Sequence, residues 1–357
     1  MNKKILALLL FFVPVISGCV QREILDDIIL MEGIGFDYAE GDQITGTILY
    51  PDYKKETEPE DVTYSATGDI MKTILQDIQR QAARPVAFGS VEIVVFDMEL
   101  AKKKGILQLI DAFQRDPAVG SGIFLAITEN KAKELFNGDY GLRGNARFIS
   151  MLIDHNIQRE DLPKTNLQRF MGDFYQIGKT PYLPVIKQNS KQKIELSGVA
   201  LLKYGKVVDV VSNEQSFFFK LLADTFSNGL HRVEVDGKEA AVQSITSTNR
   251  FELTNREPSH VTVHIKIGGT INEFTGNKLT ESVIKKIEQK FEEEIEKNCI
   301  QLVQRFQEKE IDPIGFGQFV KSKTRNFDIN NWWESAYKQM EVTIKPVVTI
   351  KEEGVIE

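Results

Sequence analysis

The chain has 357 residues, with 44 lysines and arginines against 51 aspartates and glutamates, a net charge of −7 and a pI near 5.4. Hydrophobic residues at 42% and aromatic residues at 9% supply a sizeable core, and the length asks for two or three domains. The acidic balance, with no basic tract, speaks against a nucleic-acid partner and against electrostatic lipid binding.

The chain opens with Lys3 and Lys4, an uncharged apolar run over 5–16, and then Ser17, Gly18 and Cys19. A charged start, a short apolar run and small residues are the parts of a secretory signal peptide. The run is too short for a membrane-spanning helix, which needs about 20 apolar residues, and Pro14 would disturb one. Ile16-Ser17-Gly18-Cys19 resembles the lipobox of bacterial lipoproteins. That resemblance implies removal of residues 1–18, a lipidation site at Cys19 carrying a diacylglyceryl group with acyl chains such as palmitate, and attachment to the membrane through that lipid. Loss of Lys3 and Lys4 leaves a net charge of −9. Cys299 is then the one remaining thiol, so no internal disulfide and no cysteine metal site is expected.

Residues 28–36 and 44–50 read as strands joined at Gly41-Asp42, and 51–61 as a polar loop or exposed edge. Ile70, Ile74, Leu75 and Ile78 give the stripe of an amphipathic helix over 69–83. The apolar runs 91–96 and 122–128 read as buried strands flanking a helix over 99–114, a βαβ rhythm. Helices follow over 145–157 and 166–177. From about 181 the pattern changes. Strands over 193–202 and 206–211 form a hairpin at Tyr204-Gly205, and Asn213 is placed to cap a helix running to Phe226. Val261, Val263, Ile265 and Ile267 alternate with Thr262, His264 and Lys266, a strand with one wet face. Ile284, Ile287, Phe291, Ile295, Leu302 and Phe306 mark one side of a long helix over 280–309. Pro346 assigns the strand over 341–350 to a sheet edge. The fold class is α+β in two to three domains, with mixed or antiparallel sheets packed against helices and one long helix in the C-terminal domain. The divisions are a signal peptide (1–18), an N-terminal α/β region (19–190, with a subdomain boundary near 130–145) and a C-terminal α+β domain (191–357).

No catalytic, cofactor-binding or metal-binding constellation is visible. His155, His231, His260 and His264 make no HxxH, HExxH or HxE pattern. On a strand His260 and His264 stand about 13 Å apart, too far to share one metal ion. Gly120-Ser121-Gly122 is no nucleophile elbow, and Gly33-Ile34-Gly35 lacks the rest of a dinucleotide fingerprint. Gly138, Gly141 and Gly144 fit a loop leading into a helix, with a phosphate seat as the alternative. Cys299 falls on the apolar stripe of the long helix as a small core residue, and Trp332-Trp333 suit a core or a domain joint, with an interfacial anchor as the alternative.

Several segments in order carry a resemblance: R-E-I-L-D-D (22–27), G-I-G-F-D (33–37), R-P-V-A-F-G (84–89), R-D-P (115–117), L-S-G-V-A-L-L-K (196–203) and D-P-I-G-F-G (312–317), with Trp333 downstream. Together they resemble the Ger(x)C lipoproteins, the C subunits of spore germinant receptors, over nearly the whole mature chain. Val20-Gln21 depart from the Trp-Asp often found after the family's lipidated cysteine. The resemblance implies a three-domain α+β protein without catalytic residues. It implies a place on the outer face of the bacterial cytoplasmic membrane (the spore inner membrane), beside an integral-membrane A subunit and a permease-like B subunit. The competing expectation is a solute-binding lipoprotein that delivers a small molecule to a transporter; a cell-wall hydrolase is a third.

Overall fold

A computed structural model describes residues 27–52, 60–159, 161–226, 228–256 and 259–351. Cys19, the signal segment and most of the polar stretch after Asp52 lie outside the described residues.

In chain order, β1 (Ile29–Leu30) leads into the hairpin of β2 (Gly33–Tyr38) and β3 (Ile44–Asp52), joined through a turn at Glu40–Asp42. β4 (Glu60–Gly68) pairs with β3, and α1 (Met71–Gln81) packs Ile74 and Ile78 against them. β5 (Val86–Ala87) pairs with β1, and β6 (Ile93–Asp97) lies parallel to β2. α2 (Met98–Lys103) and α3 (Leu107–Gln114) then lead to β7 (Phe124–Thr128). α4 (Ala132–Phe136), α5 (Asn145–Arg159) and α6 (Leu167–Tyr175) precede β8 (Tyr182–Ser190), β9 (Lys193–Lys203) and β10 (Lys206–Ser212). Eight of these strands form one mixed sheet in the order β10-β9-β8-β7-β6-β2-β3-β4. It runs on through residue 190, because β9 pairs with β8 over nearly its whole length and β10 closes the edge.

The remainder is a second α+β unit. α7 (Asn213–Ala223) is followed by β11 (Leu230–Val235), β12 (Lys238–Arg256) and β13 (Ser259–Phe274). α8 (Glu281–Glu308), α9 (Phe316–Lys323) and β14 (Glu341–Lys351) complete it, with a four-stranded sheet β11-β12-β13-β14. β14 lies at the edge with Pro346 opposite Ile265, as its proline requires. α8 is capped by Thr280, whose hydroxyl accepts from the Val283 amide at 3.3 Å, and buries Ile284, Ile287, Phe291, Ile295, Cys299, Leu302 and Phe306. Cys299 is fully buried, its Sγ 3.7 Å from the Phe218 carbonyl, and burial pushes the thiol pKa well up.

The structure departs from the sequence pattern at three notable points, among others. The helix expected over 99–114 is two, broken at Gly105, whose φ is +84°. There the Ile106 amide donates to the Gly205 carbonyl, and a Cβ on Gly105 would stand 2.9 Å from that oxygen. Ser212, not Asn213, holds the N-cap position of α7. Thr262 is buried on the face of β13 expected to be wet, between Glu252 on β12 and Thr343 on β14.

Candidate functional site

The sequence-derived candidates separate in space. His264 Nε2 meets Glu252 Oε2 at 2.8 Å on the exposed side of β12 and β13, while His260 Nε2 contacts Thr343 Oγ1 at 2.8 Å. His231 packs against both Phe217 and Phe291, at ring centroid distances of 4.4 and 4.7 Å, with Glu294 3.4 Å away. Among the described residues no group of three or more His, Cys, Asp or Glu side chains is placed to hold a metal ion.

The glycine-rich stretch before α5 is filled by the chain itself. Asn145 donates through Nδ2 to the Phe136 and Gly138 carbonyls at 3.0 and 2.8 Å, and its own amide donates to Asp61 Oδ2 at 2.7 Å. A phosphate seated at this helix start would meet the carboxylates of Asp61 and Glu32, both within 4 Å of where a Gly144 Cβ would be. The phosphate alternative is therefore electrostatically disfavoured. Burial, with Glu92 and Asp61 nearby, pushes the Glu32 pKa up to about 7, against the opposing pull of Arg147. Asp61 is also raised by burial, opposed by the Asn145 amide. Arg147 pairs with Glu92 at 2.6 Å and Ser150 donates to the same carboxylate at 2.7 Å.

G-I-G-F-D forms β2 and its junction with α4. Gly33 and Gly35 let Phe136 and Ala132 lie directly on the strand, and a Cβ on Gly35 would stand 2.8 Å from Ala132 Cβ. Asp37 accepts from the Ala132 and Lys133 amides at 2.6 and 3.0 Å, holding the start of α4. Burial raises its pKa to about 6 although those two amides oppose the shift. Within R-P-V-A-F-G, Arg84 lies 3.5 Å from Asp52; in R-D-P, the exposed Arg115 pairs with Asp111 at 2.8 Å. Both contacts are internal.

The most constructed polar site is the joint between the two units, formed by D-P-I-G-F-G. Asp312 is fully buried. Its carboxylate accepts from the Gly315 and Gly317 amides at 2.7 and 2.8 Å, while its backbone exchanges bonds with Thr180 at 2.8 and 2.9 Å. Burial pushes the Asp312 pKa up to about 6, and the amides of Gly317, Gly315 and Phe316, then the Lys179 ammonium, pull it back. Gly317 sits against Gly178: a Cβ there would stand 2.9 Å from Gly178 Cα and 3.0 Å from the Trp332 ring. Trp332 is buried and donates to Ser259 Oγ at 3.2 Å, and Trp333 stacks on Tyr337 at 4.9 Å. A cleft of about 340 Å³ opens beside this joint, lined among others by Phe174, Ile177, Lys179, Tyr204 and Trp333. Tyr204 and Ile177 are 80% and 51% exposed, so the cleft offers apolar contact, and Lys179 on its wall is paired with Asp173 at 3.0 Å. Asp312, Gly315 and Gly317 belong to the D-P-I-G-F-G motif, whereas Gly178, Lys179 and Thr180 carry no local signature in the sequence.

Comparison with known proteins agrees over almost the whole chain. The profile of the spore germination protein N-terminal domain matches residues 21–188, and that of the spore germination B3/GerAC-like C-terminal region matches residues 197–354. The spore germination protein GerQC of Bacillus cereus is 30% identical over 347 residues, covering 95% of this chain and 96% of its own. The putative spore germination protein YfkR of Bacillus subtilis (strain 168) is 24% identical over 307 residues, covering 82% of this chain and 79% of its own. The fold is that of the GerBC protein crystal structure, with a TM-score of 0.61 at 14% identity, covering 90% of this chain and 97% of that one. With both regions matched in order, the chain belongs to the Ger(x)C, or GerAC-like, family of spore germination proteins.

Proposed function

We propose that this chain is a non-catalytic, lipid-anchored subunit of a spore nutrient germinant receptor. A diacylglyceryl group on Cys19 holds it on the outer face of the spore inner membrane, where it acts with integral-membrane A and B subunits. The observation that carries this reading is the match to both germination-protein regions, joined to a relative 30% identical over nearly the whole chain. Two further features support it. The lipobox-like Ile16-Ser17-Gly18-Cys19 supplies an attachment, and no helix among the described residues is long and apolar enough to cross a membrane. The strongest polar constellation, around Asp312, is spent within the protein: its carboxylate holds the Gly315 and Gly317 amides of its own loop, and its backbone bonds Thr180 of the other unit. Tethering beside membrane partners raises their effective concentration, so modest interfaces such as the cleft at the joint suffice for assembly.

The test is genetic and chemical together. Deletion of the gene should abolish one nutrient response and leave germination by non-nutrient triggers intact. Cys19→Ser should leave unprocessed precursor without thioether-linked acyl chains. A deletion strain that responds normally to every nutrient, or a wild-type chain with an unmodified Cys19, would overturn the reading.

A further inference from the structure

α5 runs across the starting ends of the parallel strands. Its first turn lies beside Glu32, the residue before β2, and Asp61; Arg147 and Ser150 bond Glu92, just before β6. Met151 and Asp154 border Phe124, which opens β7. The outward side of this helix and of the loop before it is not polar throughout. Leu142 is 74% exposed, Phe148 37% and Met151 45%. Phe148 and Met151 are three apart on the helix and therefore neighbours on its surface. Arg143 and Arg147 flank them, both exposed. Arg147 spends one contact on Glu92 and still has guanidinium N–H groups to direct outward.

The chain enters the fold at this same end. β1 leads through Met31 and Glu32 directly into β2, and Glu32 is the neighbour of the α5 start. Seven residues separate Cys19 from Asp27, so the Cα of Cys19 lies at most about 29 Å from that of Asp27 even with that segment fully extended. We infer that the Leu142–Met151 surface of α5 docks on the phospholipid bilayer, with Phe148, Met151 and Leu142 entering the headgroup layer and Arg143 and Arg147 meeting lipid phosphates. Apolar side chains edged by arginines are the composition of an interfacial contact, whose aliphatic stems lie among the lipids while the charged heads reach the phosphates. The half-buried Glu32 and Asp61 disfavour a phosphate inside the loop before α5, so the lipid phosphates are met outside it, at the exposed guanidinium groups of Arg143 and Arg147; the exposed Asp154 beside Met151 limits the contact, and the lipid on Cys19 supplies the attachment itself. The surface supplies orientation: it sets which end of the eight-stranded sheet faces the membrane. This rests on the lipid anchor proposed above.

The experiment uses the full acylated chain in vesicles of phosphatidylethanolamine and phosphatidylglycerol that carry a nitroxide-labelled lipid. An acylated Cys19 and a buried Cys299 leave a single introduced thiol as the only site for a fluorophore. Met151→Cys and Leu142→Cys place it on the proposed surface. Glu40→Cys places it beyond the opposite end of β2, about 17 Å of strand away. The labels at 151 and 142 should lose most of their fluorescence to the lipid quencher while the label at 40 keeps its own. Vesicle-bound protein with equal quenching at all three positions overturns the docking surface and leaves the anchor standing. So does shielding at 142 and 151 that appears only when integral-membrane receptor subunits are present, which would make the surface a protein interface. Protein that fails to float with the vesicles overturns the anchor and the surface together.

Discussion

Asp312→Ala tests the joint between the two units. In the folded chain its carboxylate is the acceptor for the Gly315 and Gly317 amides, at 2.7 and 2.8 Å, in a place without exposure to solvent. Truncation leaves both amides buried without that partner, and each orphaned donor costs about 1–3 kcal/mol. Part of this is offset, because burial pushes the Asp312 pKa up to about 6 and removal of the carboxyl ends that desolvation cost. The expected net loss is about 2–4 kcal/mol, a large share of the 5–15 kcal/mol typical of a folded protein. Asp312→Asn keeps one carbonyl acceptor and should lose about half as much. The assay is denaturant unfolding followed by two signals. Both tryptophans of the chain, Trp332 and Trp333, lie at the joint, so their fluorescence reports it, whereas far-ultraviolet circular dichroism reports both sheets. Asp312→Ala should lower the midpoint and move the fluorescence transition ahead of the dichroism transition. Coincident and unshifted transitions would refute the reading of D-P-I-G-F-G as the clamp between the units.

Glu32 carries a pH dependence of definite sign. Its folded pKa, about 7, stands above its ordinary 4.5, so its contribution to stability is full below about 4.5 and is lost as pH rises through 7. Glu32→Gln should therefore stabilise the chain on the alkaline side by on the order of 1–2 kcal/mol, allowing for the group's partial solvation, and the gain should vanish near pH 4.5; unfolding midpoints compared on both sides of pH 7 check this. The Cys299 thiol should react with thiol reagents only on denaturation, and Cys299→Ala should cost about 1 kcal/mol as a small core truncation; fast labelling of the native chain would contradict its place on α8.

Much of the fold was legible because burial wrote a regular period into the sequence. The i, i+3, i+4 stripe of α8 and the alternation of β13 are direct consequences of packing one face on a core. Elements that break their own period were hidden. β12 buries Ala240 and Val242, then Ile245 and Ser247, because a bulge between Gln243 and Thr246 slips the alternation by one residue. β8 contains Pro184, which argues against a central strand; the strand tolerates it because hydrogen bonding to β7 begins only at Val185. The Gly105 break answers to the carbonyl of Gly205, a hundred residues away, and no local pattern announces it. The joint divides in the same way. Gly315 and Gly317 invited a reading as tight turns and close backbone approaches, but Gly178, Lys179 and Thr180 acquire their role only when D-P-I-G-F-G folds against them. Glu32 and Asp61 are 29 positions apart in sequence, and only the β2–β3–β4 pairing brings them to one helix start.

The central claim is that this chain works through membrane partners. The most direct measurement is purification of the tagged full chain from spore membranes in mild detergent, with identification of what accompanies it. Two integral-membrane proteins, the A and B subunits, should co-purify in fixed proportion and depend on Cys19 for their recovery. A chain recovered alone, or in company with a solute transporter in their place, would contradict it.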